Sequence, residues 1–228
     1  MGLVLGKISV ETPKYTVFAS GTDYEIREYG ANIVAEVTYD PSKSNSGGFM
    51  ILANYIGALG NPQNVKGGQK GEEIAMTAPV LTAAGGGPAE KINTTAPSEK
   101  IAMTAPVLTE ENRADDVDQG KKGLMVMQFV LPSKYTSVDD VPRPTDSRVR
   151  VKEVSSRKYG VLKFSGIAED KLVQKKVDRL KQVLQEAGYK VTGQHILAQY
   201  NPPWTIPFLR TNEVMLPVEY CIFFFWSH

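Results

Sequence analysis

The sequence predicts an α+β protein made of two similar halves, in which a curved antiparallel sheet carries two helices. Three observations favour this fold class. Each half contains two strand-like segments, then one helical segment, then two further strand-like segments. Apolar residues recur every three or four positions in both helical segments, whereas β-forming residues cluster or alternate between them. Apolar residues make up 42% of the 228 residues, which is enough to bury a sizeable core.

The first half begins with two segments rich in β-formers, residues 24–27 and 32–39, on either side of a break at Tyr29 and Gly30. We interpret this pair as a hairpin. A helix is predicted next, and Gly57 and the residues that follow it are expected to end it. Its apolar face consists of Phe49, Leu52, Ile56 and Leu59. Residues 74–82 and 124–131 are the next predicted strands.

The second half follows the same order. Residues 149–154 and 159–164 are predicted to form another hairpin-like pair, and residues 194–200 and 213–218 are the last two strands. Between these pairs lies the most strongly predicted element, a long amphipathic helix that Gly188 is expected to end. The apolar face of this helix consists of Val173, Val177, Leu180, Leu184 and Ala187.

The segment IAMTAPVLT is written twice. Residues 72–82 read EEIAMTAPVLT and residues 99–109 read EKIAMTAPVLT, while residues 90–97 resemble a decayed third copy. The repeat is too short to form the supersecondary unit of a solenoid, so we interpret it as the expansion of one strand. Because either copy presents the same side chains, only one can occupy a given place in the sheet. We expect the first copy to be there, since it lies nearer the first helix.

Composition excludes several classes of protein. The net charge is +1 and no run of lysine and arginine occurs, so we expect no nucleic-acid partner. Cys221 is the only cysteine, which is compatible with a reducing compartment, so we expect a cytoplasmic protein. We also expect it to be a monomer. No segment contains the roughly 20 apolar residues of a membrane helix. The apolar C-terminal tail, residues 220–228, is far too short to span a bilayer.

The sequence offers little support for catalysis or metal binding. Zinc-type cysteine and histidine spacings, the nucleophile elbow and the phosphate-binding loops are all missing from it. We interpret His195 as a structural residue, and Met76 and Met103 as core-filling side chains. Glu213 with Tyr200 is the one pair that could imitate a hydrolytic site, although packing and hydrogen bonding explain both residues as well.

Five segments together resemble the SOUL heme-binding protein family. They are residues 24–29 (YEIREY), 49–57 (FMILANYIG), 74–80 (IAMTAPV), 142–146 (PRPTD) and 200–214, which contains NPPW and RTNEV. The multiplied segment looks most like that of cytosolic plant members. The resemblance extends over about residues 12–219 and implies a single domain. That domain would carry a repeat-bearing insertion at 83–122.

The resemblance implies a duplicated βαββ fold, a distorted antiparallel β-barrel with two helices, similar to bacterial effector-binding domains. It also implies non-covalent binding of heme or another tetrapyrrole in an apolar groove between the first helix and the loop before the last strand. Apolar and aromatic walls suit the flat disc of a porphyrin. The residues that this resemblance assigns to the groove are Phe49, Ala53, Asn54, Trp204, Thr205 and Phe208, and we expect Arg210 to join them as a cation.

The chain departs from the animal members of this family at several positions. Those members have basic residues where Ser46 and Asn54 stand, and a lysine in place of Thr205. Glu28 occupies the position of a histidine proposed as an iron ligand in one animal branch. Lys43 and Arg210 are the nearest substitutes for the missing cations. We therefore expect weak binding through apolar contact, no dedicated axial ligand, and similar affinity for metal-free porphyrins.

Three functions remain as hypotheses at this point. The leading one is a non-catalytic buffer or carrier of heme or porphyrins. The second is a hydrolase of an apolar small molecule that uses Glu213. The third is a protein-interaction module that uses the acidic segment 110–118 and the Phe-rich tail.

Overall fold

The computed structural model describes residues 6–43, 47–67, 71–84 and 123–221. Its helices are α1 (Gly47–Ile56) and α2 (Asp170–Glu186). Its strands are β1 (Tyr15–Ser20), β2 (Glu25–Tyr29), β3 (Asn32–Tyr39), β4 (Asn64–Val65), β5 (Val80–Ala84), β6 (Met125–Val130), β7 (Arg143–Pro144), β8 (Val149–Val154), β9 (Arg157–Phe164), β10 (Tyr189–Val191), β11 (Ile196–Gln199) and β12 (Asn212–Tyr220).

The described strands other than β4 and β7 form one antiparallel sheet, curled into a half-barrel. Its order is β1-β2-β9-β12-β11-β5-β6-β3-β8, and β10 pairs with the far end of β12. This order is symmetric about the β11–β5 pair, because β12 and β6, then β9 and β3, then β2 and β8 follow on the two sides. The predicted α+β class and the duplication are therefore confirmed.

Both predicted hairpins are wrong. β2 pairs with β1 and β9, and β3 pairs with β6 and β8, so the two strands of each predicted hairpin do not pair with each other. Tyr29 lies opposite Arg157 and Asn32 lies opposite Val154, which means that one register continues across the break. The break at Gly30 is therefore a bend in a long two-stranded ladder that joins the halves. Period-two patterns identify strands, but they carry no information about which strands pair.

The first helix ends earlier than its apolar spacing suggests. α1 stops at Ile56, because Gly57 adopts a φ of +82° that favours glycine. Leu59 therefore lies beyond the helix and is 52% exposed, contrary to its predicted place on the apolar face. The other three predicted positions pack as expected: Leu52 and Ile56 are buried, and the Phe49 ring meets Phe129 with centroids 5.5 Å apart.

The second helix agrees with its prediction except at Ala187, which follows the helix as its C-cap and is half-buried. Val173, Val177, Leu180 and Leu184 are buried, and Gly188 follows the helix with a φ of +78°. The helix lies close to β9 because Gly160 has no side chain: a Cβ there would lie 2.6 Å from the Leu184 methyl carbons. Burial of this apolar stripe against the sheet is what stabilises the helix.

Both helices cover the same face of the sheet. Cross-strand partners in an antiparallel sheet share a face, so a row of partners can be followed from strand to strand. One row runs through Val149, Val37, Met127, Thr82, Leu197, Val214 and Leu162. The first three of these residues pack under α1, and the last three pack with α2. The next row faces the other side and consists of Lys163, Glu213, Ala198, Leu81, Gln128, Glu36 and Arg150.

The first copy of the repeat enters the sheet, as expected, but less of it is a strand than predicted. Residues 71–79 run beside the sheet without regular structure, and only β5 pairs, with β6 and β11. Strands β1 and β10 were not predicted. None of the described helices has the length and apolar character needed to cross a membrane. The second copy and the tail beyond Cys221 lie outside the described residues.

Candidate functional site

Two large aromatic side chains stand exposed on the loop between β11 and β12. Trp204 is 66% exposed and Phe208 is 71% exposed, whereas most other aromatic residues in the described part of the chain are at least partly buried. Such exposed aromatic side chains are candidates for contact with a ligand. We call residues 201–211 the aromatic loop.

The aromatic loop is held by its own hydrogen bonds. The Arg210 guanidinium donates from Nε to the Thr205 carbonyl oxygen at 2.9 Å, and also to the carbonyl oxygen of Pro203. Asn201 accepts from the Thr211 amide at 2.7 Å and donates to the Gly6 carbonyl at 3.2 Å. These contacts fix the backbone on both sides of Trp204. The exposed side chains are therefore presented on an ordered surface.

The remaining residues assigned to the groove differ in their access to solvent. Phe49 and Asn54 are half-buried on α1, whereas Ala53 is fully buried within the packing of that helix. Thr205 is 1% exposed, so its side chain lies beneath the aromatic loop. Arg210 is half-buried and binds the loop carbonyls. Trp204 and Phe208 are therefore the two assigned residues most available for contact with a ligand.

A polar site, separate from the aromatic loop, lies on the sheet face opposite the helices. Arg27 donates from Nη1 to Glu213 Oε1 at 2.9 Å and from Nε to Glu25 Oε2 at 2.6 Å. Tyr200 donates its hydroxyl to Glu213 Oε2 at 2.7 Å, and Arg27 also donates to the Tyr29 hydroxyl at 3.2 Å. We call these five residues the Arg27 network. The pair of Glu213 and Tyr200 was predicted from the sequence, whereas Arg27 was not. Because Arg27 follows buried Ile26 in the same strand, its side chain could have been expected to face the opposite side of the sheet.

The Arg27–Glu213 pair at the centre of the network is closed to solvent, whereas the Glu25 side chain is 40% exposed. Arg27 is 5% exposed and Glu213 is 4% exposed, and their opposite charges compensate each other. Burial raises the pKa of the Tyr200 hydroxyl above its ordinary value, and the negative charge of Glu213 raises it further. Burial likewise raises the pKa of Tyr29 to about 12. Both phenols therefore stay protonated at neutral pH, where they serve as hydrogen-bonding groups.

Few candidate iron ligands occur in the described part of the chain. His195 is half-buried just before β11, and burial, followed by the charge of Lys181, lowers its pKa. Met76 is 38% exposed beside the sheet, so the interpretation of its side chain as core-filling is wrong. No cluster of three or more histidine, cysteine, aspartate or glutamate side chains is arranged to hold a metal ion within the described ranges. Met103 and His228 lie outside those ranges.

The described residues fit one part of what a tetrapyrrole needs. Trp204 and Phe208 provide apolar surface for the face of the disc. Two cavities in the described part of the chain have volumes of about 210 and 180 Å³, below the range of roughly 300–1,000 Å³ that is typical of small-molecule pockets. Neither cavity is lined by residues of the aromatic loop. The two exposed aromatic residues therefore lie outside both cavities.

Comparison with protein families gives one match that covers most of the chain. The family model described as SOUL heme-binding protein matches residues 10–96 and 89–217. The first region contains the first copy of the repeat, and the second region contains the second copy. No curated protein matches the sequence.

Several solved structures are similar to this chain at low sequence identity. The EcmrR–DNA complex is 12% identical with a TM-score of 0.54, and the match covers 87% of this chain and 57% of that chain. This chain thus spans little more than half the length of that protein. The EcmrR C-terminal domain is 13% identical with a TM-score of 0.49, covering 91% of this chain and 99% of that one. A hydrolase from Listeria innocua is 12% identical with a TM-score of 0.48, covering 89% and 94%.

Proposed function

The chain belongs to the SOUL heme-binding protein family, and from this membership we propose that it binds heme or a related tetrapyrrole without chemical change, as a buffer or carrier. The ligand lies against the aromatic loop, with its face on Trp204 and Phe208. Phe49 and Asn54 of α1 contribute where they reach the surface. We also propose that the protein works in the cytosol as a monomer and has no nucleic-acid partner.

The observation that supports this binding site is the exposure of Trp204 and Phe208 on a loop whose backbone is held by hydrogen bonds. A ligand that covers these two side chains removes apolar surface from water. This favours binding by about 25 cal/mol for each Å² of apolar surface covered. Because Arg210 and Asn201 brace the loop before binding, little ordering is left to oppose association.

The state of the Arg27 network supports a non-catalytic role. A hydrolytic carboxylate must reach its substrate or a water molecule. Glu213 is instead 4% exposed, with one oxygen bound by Arg27 and the other by Tyr200. Both carboxylate oxygens of Glu213 thus accept hydrogen bonds within the fold. This arrangement argues against Glu213 as the catalytic carboxylate of a hydrolase.

Fluorescence titration tests the proposed function. Trp204 and Trp226 are the two tryptophans, so Trp226→Phe leaves Trp204 as the reporter of the aromatic loop. We expect hemin and protoporphyrin IX to quench Trp204 saturably at micromolar concentration, with affinities that differ by only a few-fold because the contact is apolar. The absence of saturable quenching by either ligand would refute binding at this loop.

A further inference from the structure

The first copy of the repeat is held by contacts along its whole length. Ile74 is 2% exposed within the core under α1, and its amide donates to the Ile56 carbonyl oxygen at 2.9 Å. Glu72 accepts and donates backbone hydrogen bonds with the Asn64 side chain, both at 2.8 Å. We call the space filled by residues 72–82, beside α1 and between β6 and β11, the strand slot.

The residues in the middle and at the end of the strand slot also make specific contacts. Thr77 donates its hydroxyl to the Val130 carbonyl oxygen. The Ala78 amide donates to the Glu11 carbonyl oxygen at 3.0 Å, and Ala78 is 4% exposed. Val80, Leu81 and Thr82 then pair with β6 on one side and β11 on the other.

The second copy reproduces every one of these side chains. The equivalents of the contact residues are Glu99, Ile101, Thr104, Ala105, Pro106, Val107, Leu108 and Thr109. The one difference within the copies is Lys100 in place of Glu73, and Glu73 is exposed. Nothing within the strand slot therefore distinguishes residues 72–82 from residues 99–109.

The match to the family model is also consistent with either copy occupying the strand slot. Its two matched regions overlap at residues 89–96, so each region carries one copy of the segment. In the first region the copy follows α1, and in the second region the copy precedes β6. Both copies are thus compatible with a strand that follows the helix or precedes the next strand.

We propose that residues 99–109 are a reserve strand, which enters the strand slot when residues 72–82 are displaced or disabled. The two arrangements differ in where the surplus chain lies. With the first copy in place, the surplus follows β5. With the second copy in place, it precedes the strand, between β4 and the slot. Loop-closure free energy changes slowly with loop length, so neither arrangement is excluded by its loops.

The two ends of the strand slot select the first copy. A Cβ at Gly71 would lie 2.5 Å from the Pro62 carbonyl oxygen and 2.6 Å from that of Asn64, and the second copy has Ser98 at this position. At the other end, half-buried Ala83 lies opposite Ile196 and Val126. The second copy would place Glu110 there, so a carboxylate would face apolar partners.

Substitution of the buried isoleucine in each copy tests the reserve strand in the full-length chain. Ile101→Asp should leave the Tm unchanged. Ile74→Asp should lower the Tm but keep one cooperative transition, because the second copy replaces the first. The double variant Ile74→Asp/Ile101→Asp should lose the transition, since neither copy can then fill the core position.

Hydrogen exchange identifies which copy is in the strand slot. In the wild type, the amides of residues 80–82 should be protected, and those of residues 107–109 should not. In Ile74→Asp this pattern should reverse. Gly71→Ser should shift protection only partly in the same direction, because it removes one of the two differences between the copies while Ala83 still favours the first. Gly123→Ser is the control, because a Cβ at Gly123 meets nothing within 4 Å.

Two results would overturn the proposal. One is an Ile74→Asp variant that is as unfolded as the double variant, which would mean that the second copy gives no rescue. The other is a folded Ile74→Asp variant in which residues 80–82 are still the protected ones.

Discussion

Arg27 donates from Nη1 to Glu213 Oε1 at 2.9 Å, and these two side chains are only 6% and 5% exposed. They come from β2 and β12, the two strands that flank β9. The contact therefore ties the beginning of the first half to the last strand of the second half. Glu25, Tyr29 and Tyr200 complete the hydrogen bonding of the pair, so both charges are compensated inside the protein.

Arg27→Met should destabilise the protein by roughly 3–5 kcal/mol, because Glu213 would be left buried without its cation. The measurement is the free energy of unfolding in urea. Arg27→Met/Glu213→Gln is the matched control, since it removes both charges, and it should be more stable than Arg27→Met alone. Free energies that simply add in the double variant would contradict a direct coupling of the two residues.

Gly160→Ala should destabilise the protein by about 1–3 kcal/mol, because the new methyl group forces fully buried Leu184 and α2 away from β9. Gly30→Ala is the control, since a Cβ at Gly30 meets nothing within 4 Å. Chemical denaturation of the two variants provides the comparison. Equal stability of both would show that the close approach of Leu184 to Gly160 is not required.

Trp204→Ala should weaken tetrapyrrole binding by about tenfold, or roughly 1.4 kcal/mol, while leaving the Tm unchanged because the side chain is 66% exposed. Binding is followed through porphyrin absorbance, since the variant lacks the fluorescent reporter. Phe18→Ala removes another exposed aromatic residue, on edge strand β1, and should bind normally. A normal affinity in Trp204→Ala would place the ligand elsewhere.

Arg210→Met should weaken binding by loosening the aromatic loop, because the Thr205 and Pro203 carbonyl groups lose their donor. This role is separable from direct pairing with ligand carboxylates. Protoporphyrin IX and its dimethyl ester should lose affinity equally if Arg210 only braces the loop. A loss confined to the free acid would instead indicate contact between Arg210 and the carboxylates.

Stability should fall as the pH rises above about 10, the ordinary pKa of tyrosine. The pKa of Tyr29 is raised to about 12, chiefly by burial, so between these values the unfolded chain loses a proton that the folded protein keeps. Burial raises the pKa values of Tyr55 and Tyr200 in the same direction. Tyrosinate absorbance and unfolding should therefore change together. Tyr29→Phe should reduce the slope of stability against pH, and an unchanged slope would contradict this assignment.

The candidate site was only partly accessible from the sequence. The resemblance indicated the aromatic loop, but it could not show that Ala53 and Thr205 are buried or that Arg210 binds the loop carbonyls. Those facts depend on how the loop and α1 pack against the rest of the chain. The Arg27 network was hidden for the same reason, since Arg27 and Glu213 are 186 positions apart in sequence.

The sequence by itself determined the elements whose causes are local. The apolar stripe of α2 and Gly188, the duplication of strand and helix order, and the identity of the two repeat copies can all be read from neighbouring residues. Strand pairing was decided only in the tertiary structure, which joined β2 to β9 and β3 to β8 in place of the expected hairpins. The choice between the two copies was decided there too. Their side chains are the same within the strand slot, and only the closeness of Pro62 and Asn64 to Gly71, and of Ile196 and Val126 to Ala83, separates them.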